Sequence, residues 1–194
     1  CFIIGDVSGK GVPASLFMAT TRTLARSIAL RLDEGAGAVV SAANRELAWE
    51  NAEFLFVTLL FGVLDVDRGE LALVNAGHDG PWRLAADGTI TQINCPPEAG
   101  GPPLCVIDDH RYTAQTLQLS PGDTLCLVTD GITEAFDAKG QAYGSERLTR
   151  LLRSLPPGSP PQEVMQQLRG DVARHTGDTE ATDDLTLLVL RWNA

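Results

Sequence analysis

The sequence predicts an α+β sandwich, and three observations support this fold class. Short runs rich in Val, Leu, Phe and Thr fill the middle of the chain, and helical patterns lie before and after them. Strands and helices do not alternate regularly, as they would in a doubly wound parallel sheet. The chain has 194 residues, 44% of them apolar, so we predict a single domain over residues 1–194.

The chain begins inside a predicted strand, and two predicted helices follow it. The stretch IIGDVSGKGVP, residues 3–13, runs from this strand through a glycine-rich turn to Pro13, which suits the first turn of a helix. Four apolar residues then recur in multiples of four and predict a helix over 12–32: Leu16, Leu24, Ile28 and Leu32. Arg22, Arg26 and Arg31 form its predicted solvent-exposed face. A second pattern, Val39, Val40, Ala43 and Leu47, predicts a helix over 37–51 that forms a hairpin with the first.

From Phe54 onward the pattern changes to strands, and helices return near the end. Strands are predicted at 54–65, 70–75, 80–85 and 89–93, which we interpret as an antiparallel meander, and again near 111–118 and 123–129. A loop rich in Pro and Gly lies at 96–103. Helices are predicted at 145–154 and 161–175, and the stretch DLTLLVLRW forms a last strand.

The composition argues against several classes of function. The formal net charge of −10 and the pI near 4.6 disfavour a nucleic-acid surface, because phosphate backbones are bound by clustered Lys and Arg. The four cysteines form no C-x-x-C pair, so we predict neither a zinc site nor a disulfide framework. No apolar run reaches the roughly 18 residues of a membrane helix. We therefore expect a soluble, cytoplasmic domain without a membrane segment.

Three stretches place an aspartate where a predicted strand begins or ends. These residues are Asp6 in GDVSGKG, Asp130 in LVTDGITEAFD, and Asp183, with Asp184 beside it, in TEATDDLTLLVL. Such an aspartate is held by the sheet but faces a loop, and a neighbouring glycine lets backbone carbonyls approach an ion. Because Mg²⁺ and Mn²⁺ prefer oxygen ligands, the three aspartates could form a dinuclear metal site. The alternative is that each is simply a turn residue.

The first glycine-rich stretch invites comparison with a nucleotide-binding P-loop. That loop requires the spacing G-x-x-x-x-G-K-[ST]. Here only three residues separate Gly5 from Gly9, and Gly11 follows Lys10 where a hydroxyl residue should stand. The spacing therefore disfavours a nucleotide hydrolase.

Five motifs, taken in order, resemble the metal-dependent protein serine/threonine phosphatases of the protein phosphatase 2C superfamily, in the bacterial branch typified by SpoIIE and RsbU. The motifs are GDVSGKGVPASLFMA, FVTLLFGVLD, NAGHDGP, LVTDGITEAFD and DDLTLLVL, and they extend from Asp6 to Leu190. The resemblance implies an αββα sandwich, in which two face-to-face antiparallel sheets are flanked by helices.

The resemblance also implies roles for individual residues. Asp6, Asp130 and Asp183 would be the catalytic metal ligands. Asp6 would bridge two Mn²⁺ or Mg²⁺ ions and the Val7 carbonyl would join one of them, while Asp130 and Asp183 complete the other site and Asp184 supports them. The two ions would activate a shared water for in-line attack on a phosphoserine or phosphothreonine.

The resemblance has two departures, and it also implies partners. The eukaryotic branch has a histidine close behind the first aspartate, where this chain has Val7, Ser8 and Gly9. The family's acidic ligand upstream of the first motif is not in this sequence, which opens at Cys1 without an initiator methionine. We therefore expect an N-terminally truncated fragment of a longer regulatory protein, with one metal site incomplete. The implied partners are a phosphorylated anti-anti-sigma protein of the STAS type and an upstream sensor or receiver domain.

Other polar residues have both a functional and a structural interpretation. His78 and Asn75 could contact phosphate, but residues of a glycine-rich turn more often hold the turn. Lys10 could attract phosphate, and Glu134 could steady the Asp130 loop. The cluster Asp108, Asp109 and His110 is predicted to face solvent. An alternative function is a phosphatase-like binding module with little or no turnover.

Overall fold

The computed structural model describes residues 1–49, 51–96, 98–179 and 183–193. The chain divides into two compact units, and each contains one four-stranded antiparallel sheet with its own helices. The first unit comprises Cys1–Asp65, Glu70–His78 and Cys95–Gln118, and the second Val66–Gly69, Asp79–Asn94 and Leu119–Ala194. The predicted α+β class is confirmed.

The described part of the chain forms eight strands and five helices. The strands are β1 (Phe2–Val7), β2 (Val57–Asp65), β3 (Glu70–Ala76), β4 (Trp82–Leu84), β5 (Ile90–Gln92), β6 (Gln115–Gln118), β7 (Thr124–Val128) and β8 (Leu187–Arg191). The helices are α1 (Val12–Ala29), α2 (Ala36–Trp49), α3 (Asp130–Thr133), α4 (Gly144–Ser154) and α5 (Pro161–Thr176). Within the described residues, no helix is both long and apolar enough to cross a membrane.

The first unit has the strand order β1-β2-β3-β6, and α1 and α2 supply much of its core. The buried face of α2 is the predicted one, with Val39, Val40, Ala43 and Leu47 all inside. The predicted face of α1 is partly wrong: Ile28 is buried, but Leu16 is 63% exposed. The buried residues of α1 are Ala14, Thr21, Ala25 and Ile28, so small side chains form most of its inner face. Arg22 and Arg26 are exposed, as predicted, and so is Arg31, which lies just beyond the helix because α1 ends at Ala29 and not at residue 32.

The second unit has the strand order β5-β4-β7-β8. All five residues of β7 are buried. The apolar residues of α4 and α5 recur every four residues and pack into one cluster with Trp82: they are Leu148, Leu152, Val164, Leu168 and Val172. The indole N–H of Trp82 donates to the Thr149 hydroxyl at 3.1 Å. The segment that carries Asp130 thus follows directly after a strand that is fully buried.

The prediction of a four-strand meander is wrong after its second strand. Strand β3 pairs with β2 and β6, whereas β4 pairs with β5 and β7. After β3, Pro103 packs closely against Gly77, where an added Cβ would lie 2.5 Å from the Pro103 Cδ. Residues 76 and 77 form isolated bridges with Gly101 and Leu59. Strand β6 is also shorter than predicted, and α3 was not predicted.

Candidate metal centre

Asp6 lies one residue before the end of β1 and is partly buried. It pairs with Thr58 of β2, and the neighbouring Gly5 allows the two strands to meet closely, since a Cβ there would lie 2.6 Å from the Thr58 carbonyl oxygen. The turn that follows is fixed by two hydrogen bonds. The Ser8 N–H donates to the Phe56 carbonyl at 2.9 Å, and the Phe56 N–H donates to the Ser8 hydroxyl at 2.8 Å. Asp6 is thus held by strand pairing on one side and by a closed turn on the other.

Two neighbours of Asp6 have predicted roles. Val7 ends β1 opposite Val57, so its backbone lies where the strand meets the glycine-rich turn. Lys10 is exposed just before α1. These positions suit the predicted carbonyl ligand and the predicted electrostatic attraction of phosphate, which stay predictions.

Asp130 stands where the buried strand β7 has ended and the short helix α3 begins. Its side chain is exposed. Its carbonyl oxygen accepts the Glu134 N–H at 2.6 Å and the Thr133 hydroxyl at 3.3 Å. The backbone of Glu134 therefore closes the turn, while its own side chain is exposed. We predicted that Asp130 faces a loop at the end of the strand, but the structure has a four-residue helix that begins at Asp130.

Asp183 lies a few residues before β8 and is exposed. One of its carboxylate oxygens, Oδ1, accepts the Asp184 N–H at 2.8 Å. The side chain of Asp184 is exposed as well. The segment therefore offers solvent a carboxylate whose second oxygen can bind a ligand.

The carboxylates of Asp6, Asp130 and Asp183 lie close together. One carboxylate oxygen from each residue lies within 4.8 Å of the others, and no other group of three His, Cys, Asp or Glu side chains among the described residues meets this criterion. Three negative charges at this spacing repel one another, and a divalent cation relieves that repulsion. Mg²⁺ and Mn²⁺ bind through a few carboxylate oxygens together with retained waters. The donor set therefore fits such an ion.

The NAGHDGP segment favours the structural interpretation of Asn75. Its amide nitrogen donates to the His78 carbonyl at 2.7 Å, and its amide oxygen accepts the His78 N–H at 2.8 Å. These two bonds use the Asn75 side chain to close the turn. His78 itself is only 8% exposed.

The prediction for the cluster at 108–110 is correct for two residues and wrong for the third. Asp108 and Asp109 are exposed, but His110 is partly buried. Its ring meets the Tyr112 ring edge to face, with centroids 4.6 Å apart. Gly101 leaves the space for it, because a Cβ there would lie 2.0 Å from the His110 Nε2. His110 is therefore a packing residue.

Thr129 was missed as a candidate site residue. It is buried between β7 and Asp130, and its backbone N–H continues the pairing with β8 by donating to the Thr186 carbonyl at 3.1 Å. The signal in the sequence is a hydroxyl residue between an apolar strand and an Asp-Gly pair. A β-branched residue at a strand end is so common that this signal alone did not single it out.

Comparisons with known proteins agree with the fold. The sequence model of the Stage II sporulation protein E (SpoIIE) family matches residues 1–193. Protein IcfG of Synechocystis is 26% identical over 217 residues, covering 98% of this chain and 33% of the relative. Phosphoserine phosphatase RsbU of Bacillus subtilis is 27% identical over 189 residues, covering 97% of this chain and 54% of the relative. The chain thus spans a third to about half the length of these relatives.

Solved structures show the same fold. The RsbU and RsbW domains of Rv1364c from Mycobacterium tuberculosis superpose with a TM-score of 0.80 at 24% identity, covering 99% of this chain and 51% of that one. The SiaA-PP2C domain of Pseudomonas aeruginosa gives 0.78 at 22% identity, covering 98% and 76%. The phosphatase domain of Bacillus subtilis SpoIIE, in a structure described as Mn presoaked, gives 0.59 at 20% identity, covering 90% and 72%. The fold of this chain is that of a PP2C domain.

Proposed function

The chain belongs to the SpoIIE family, and from this premise we propose that it hydrolyses the phosphate of a phosphoserine or phosphothreonine in a protein, using metal ions held by Asp6, Asp130 and Asp183. The observation that carries the proposal is the meeting of their three carboxylates within 4.8 Å. A PP2C fold alone does not imply activity, because function depends on the site rather than on the fold.

The residues would divide the binding of two Mn²⁺ or Mg²⁺ ions among them. Asp6 would contribute to holding both ions, the Val7 carbonyl would help to hold one of them, and Asp130 and Asp183 would help to hold the other. When bound, such ions lower the pKa of water and draw negative charge from the phosphoryl oxygens.

The protein's own groups explain why a cation is needed. Without one, three carboxylates would repel a phosphate monoester, which itself carries about two negative charges near neutral pH. Asp130 and Asp183 are exposed, so a phosphorylated side chain that projects from another protein can reach them. Lys10 is exposed beside the same turn as Asp6 and adds positive charge near the incoming phosphate.

The proposed substrate is a phosphorylated anti-anti-sigma protein of the STAS type, and the proposed input is an upstream sensor or receiver domain. Two comparisons support the coarser part of this proposal, a phosphoprotein substrate and regulatory partners. One relative is named a phosphoserine phosphatase, and one solved structure contains an RsbU domain together with an RsbW domain. We place this signalling function in the cytoplasm.

The test is hydrolysis of a small aryl phosphate in the presence of Mn²⁺, with and without a chelator. We expect turnover that the chelator abolishes and that Asp130→Asn and Asp183→Asn each reduce at least 100-fold, on the order expected when a ligand to a catalytic ion is lost. Asp108→Asn is the matched control, because it removes an exposed carboxylate outside the cluster. A protein that binds Mn²⁺ and hydrolyses neither the aryl phosphate nor a phosphoprotein would instead be a binding module.

A further inference from the structure

Thr129 connects the two segments that carry Asp130 and Asp183. Its side-chain hydroxyl donates to the Asp184 carbonyl at 3.3 Å and accepts the Thr186 N–H at 3.2 Å. Thr129 is 2% exposed, so water does not readily replace these bonds. One buried hydroxyl therefore satisfies a donor and an acceptor on the segment that leads from Asp183 into β8.

The residue on the other side of Asp130 meets the same segment. A Cβ at Gly131 would lie 2.2 Å from the Asp184 carbonyl oxygen and 3.6 Å from the Asp183 Cβ. The start of α3 therefore lies directly against the backbone of Asp184. The residues on both sides of Asp130 therefore contact the same short segment. Thr129 does so through its hydroxyl, and Gly131 does so because it has no side chain to keep the two backbones apart.

The regular pairing of β7 with β8 stops before the aspartates. Its last paired residues are Val128 and Leu187. Beyond them, the backbone bond from Thr129 to Thr186 and the two hydroxyl bonds continue the connection. The separation of the two carboxylates thus depends on the few contacts at Thr129 and Gly131.

We propose that Thr129 is a positioning residue of the metal centre, whose hydroxyl sets the distance between the Asp130 and Asp183 carboxylates. The inference rests on the proposed metal site. Divalent ions such as Mg²⁺ accept only a narrow range of ligand positions, and residues that orient metal ligands affect affinity although they do not touch the ion. Without the hydroxyl, the Asp184 carbonyl and the Thr186 N–H lose a buried partner, and the segment shifts to find water.

The competing explanation is that Thr129 is only a strand residue that packs well. Two substitutions separate the two roles. Thr129→Val keeps the branched shape and removes the hydroxyl, whereas Thr129→Ser keeps the hydroxyl and removes the methyl group. Thr124→Val is the matched control, because Thr124 is equally buried at the opposite end of β7.

The experiment measures the Mn²⁺ dissociation constant of each variant by calorimetry, together with the unfolding temperature of the metal-free protein. We expect Thr129→Val to weaken Mn²⁺ binding about tenfold, and Thr129→Ser and Thr124→Val to bind within about twofold of wild type. If Thr129→Val does not fold, Thr129→Ala removes the same hydroxyl without adding a methyl group, and it carries the same expectation.

Two results would overturn the positioning role: wild-type affinity in folded Thr129→Val, or equal weakening in Thr129→Val and Thr129→Ser. A wild-type protein that binds no Mn²⁺ would overturn the metal centre and the positioning role together. A wild-type protein that binds Mn²⁺ but hydrolyses no phosphate would overturn only the proposed phosphatase activity. The comparison of Mn²⁺ dissociation constants between the variants would still decide the role of Thr129.

Discussion

At the scale of single residues, the carboxylates differ in how many donors the protein supplies to them. Asp123 is buried and accepts hydrogen bonds from Arg83, Ala86 and Ser120. Asp183, within the part of the chain that the structure describes, accepts only the N–H of Asp184. An ionised carboxylate has about four acceptor positions. Hydrogen bonds from the protein use most of those of Asp123, whereas Asp183 keeps acceptor positions with which it can bind a cation.

Asp171, like Asp123, accepts several hydrogen bonds from the protein, and these bonds lead to a prediction on the pH dependence of stability. Hydrogen bonds from Arg147, with further ones from Tyr143 and Arg174, lower the pKa of Asp171 to about 2, against the opposing effect of burial. A lowered pKa means that the stabilisation is complete above about pH 4 and is lost as the pH falls toward 2. Because the cluster lies near the surface, solvent screening limits the effect to about 1 kcal/mol.

We therefore expect Asp171→Asn to lower the free energy of unfolding by about 1 kcal/mol at pH 7. The gap between variant and wild type should narrow as the pH falls through 2, because Asp171 is protonated in both states of the wild type only below that pH. Urea unfolding across this pH range measures it. Asp178→Asn, at an exposed position beyond α5, should leave stability unchanged. A gap of constant size at all pH values would show that charge is not the cause.

The predicted site depended on five motifs taken together, because an aspartate at a strand end is by itself a common turn residue. Oxygen ligands made a metal site possible, and the resemblance of the ordered motifs to the phosphatase family implied which aspartates hold the metal, which stays a prediction. Thr129 and Gly131 could not be recognised in this way. Their importance comes from contacts with Asp184 and Thr186, more than 50 positions along the chain, and no local pattern encodes such a contact.

At the scale of elements, the sequence predicted the long helices with periodic apolar residues well, but it did not predict which strands pair with each other. The predicted helices near 37–51, 145–154 and 161–175 correspond to α2, α4 and α5. Strand β3, however, finds its second neighbour in β6, some 40 residues later. Alternation within a strand shows which face is buried, but it carries no information on which strand lies alongside. A four-residue helix such as α3 is also too short to show a periodic pattern.

The buried face of α1 gives a prediction at this scale. Small residues pack inward on this helix, and Leu16 projects outward, although it fits the same four-residue spacing as Ile28. We expect Ile28→Ala to lower the free energy of unfolding by about 2–4 kcal/mol, through lost burial and an unfilled cavity. Leu16→Ala should change it by less than about 0.5 kcal/mol.

Urea unfolding of both variants at one pH distinguishes the faces. The slopes against urea should match that of wild type, so that the midpoints report stability. A larger loss for Leu16→Ala than for Ile28→Ala would mean that the helix is rotated relative to the described structure.

At the scale of the whole molecule, the structure has two clusters of buried apolar residues, whereas a single family model matches the chain. Each unit has its own cluster of buried apolar residues, while the family model covers residues 1–193 without a break. Because the five motifs occur in order along both units, the sequence could predict the PP2C fold as a whole. That the chain is a single domain stays a prediction.

The net charge of −10 makes the whole molecule sensitive to cations, and the proposed centre predicts a specific response beyond general screening. A ligand that binds only the folded state stabilises it by about 2.7 kcal/mol at 100 times its dissociation constant. For a chain of this size that raises the unfolding temperature by about 5–10 °C. Mn²⁺ should therefore produce this rise, and a chelator should reverse it.

Sodium chloride at the same ionic strength screens the net charge without occupying the centre, so it should produce a much smaller rise. Asp183→Asn should lose the Mn²⁺ response because it removes a proposed ligand, whereas Asp108→Asn, which changes the net charge equally, should keep it. Differential scanning calorimetry of the three proteins measures the shifts. An equal Mn²⁺ shift in Asp183→Asn and wild type would mean that the ion acts on the charge of the molecule and not at the three aspartates.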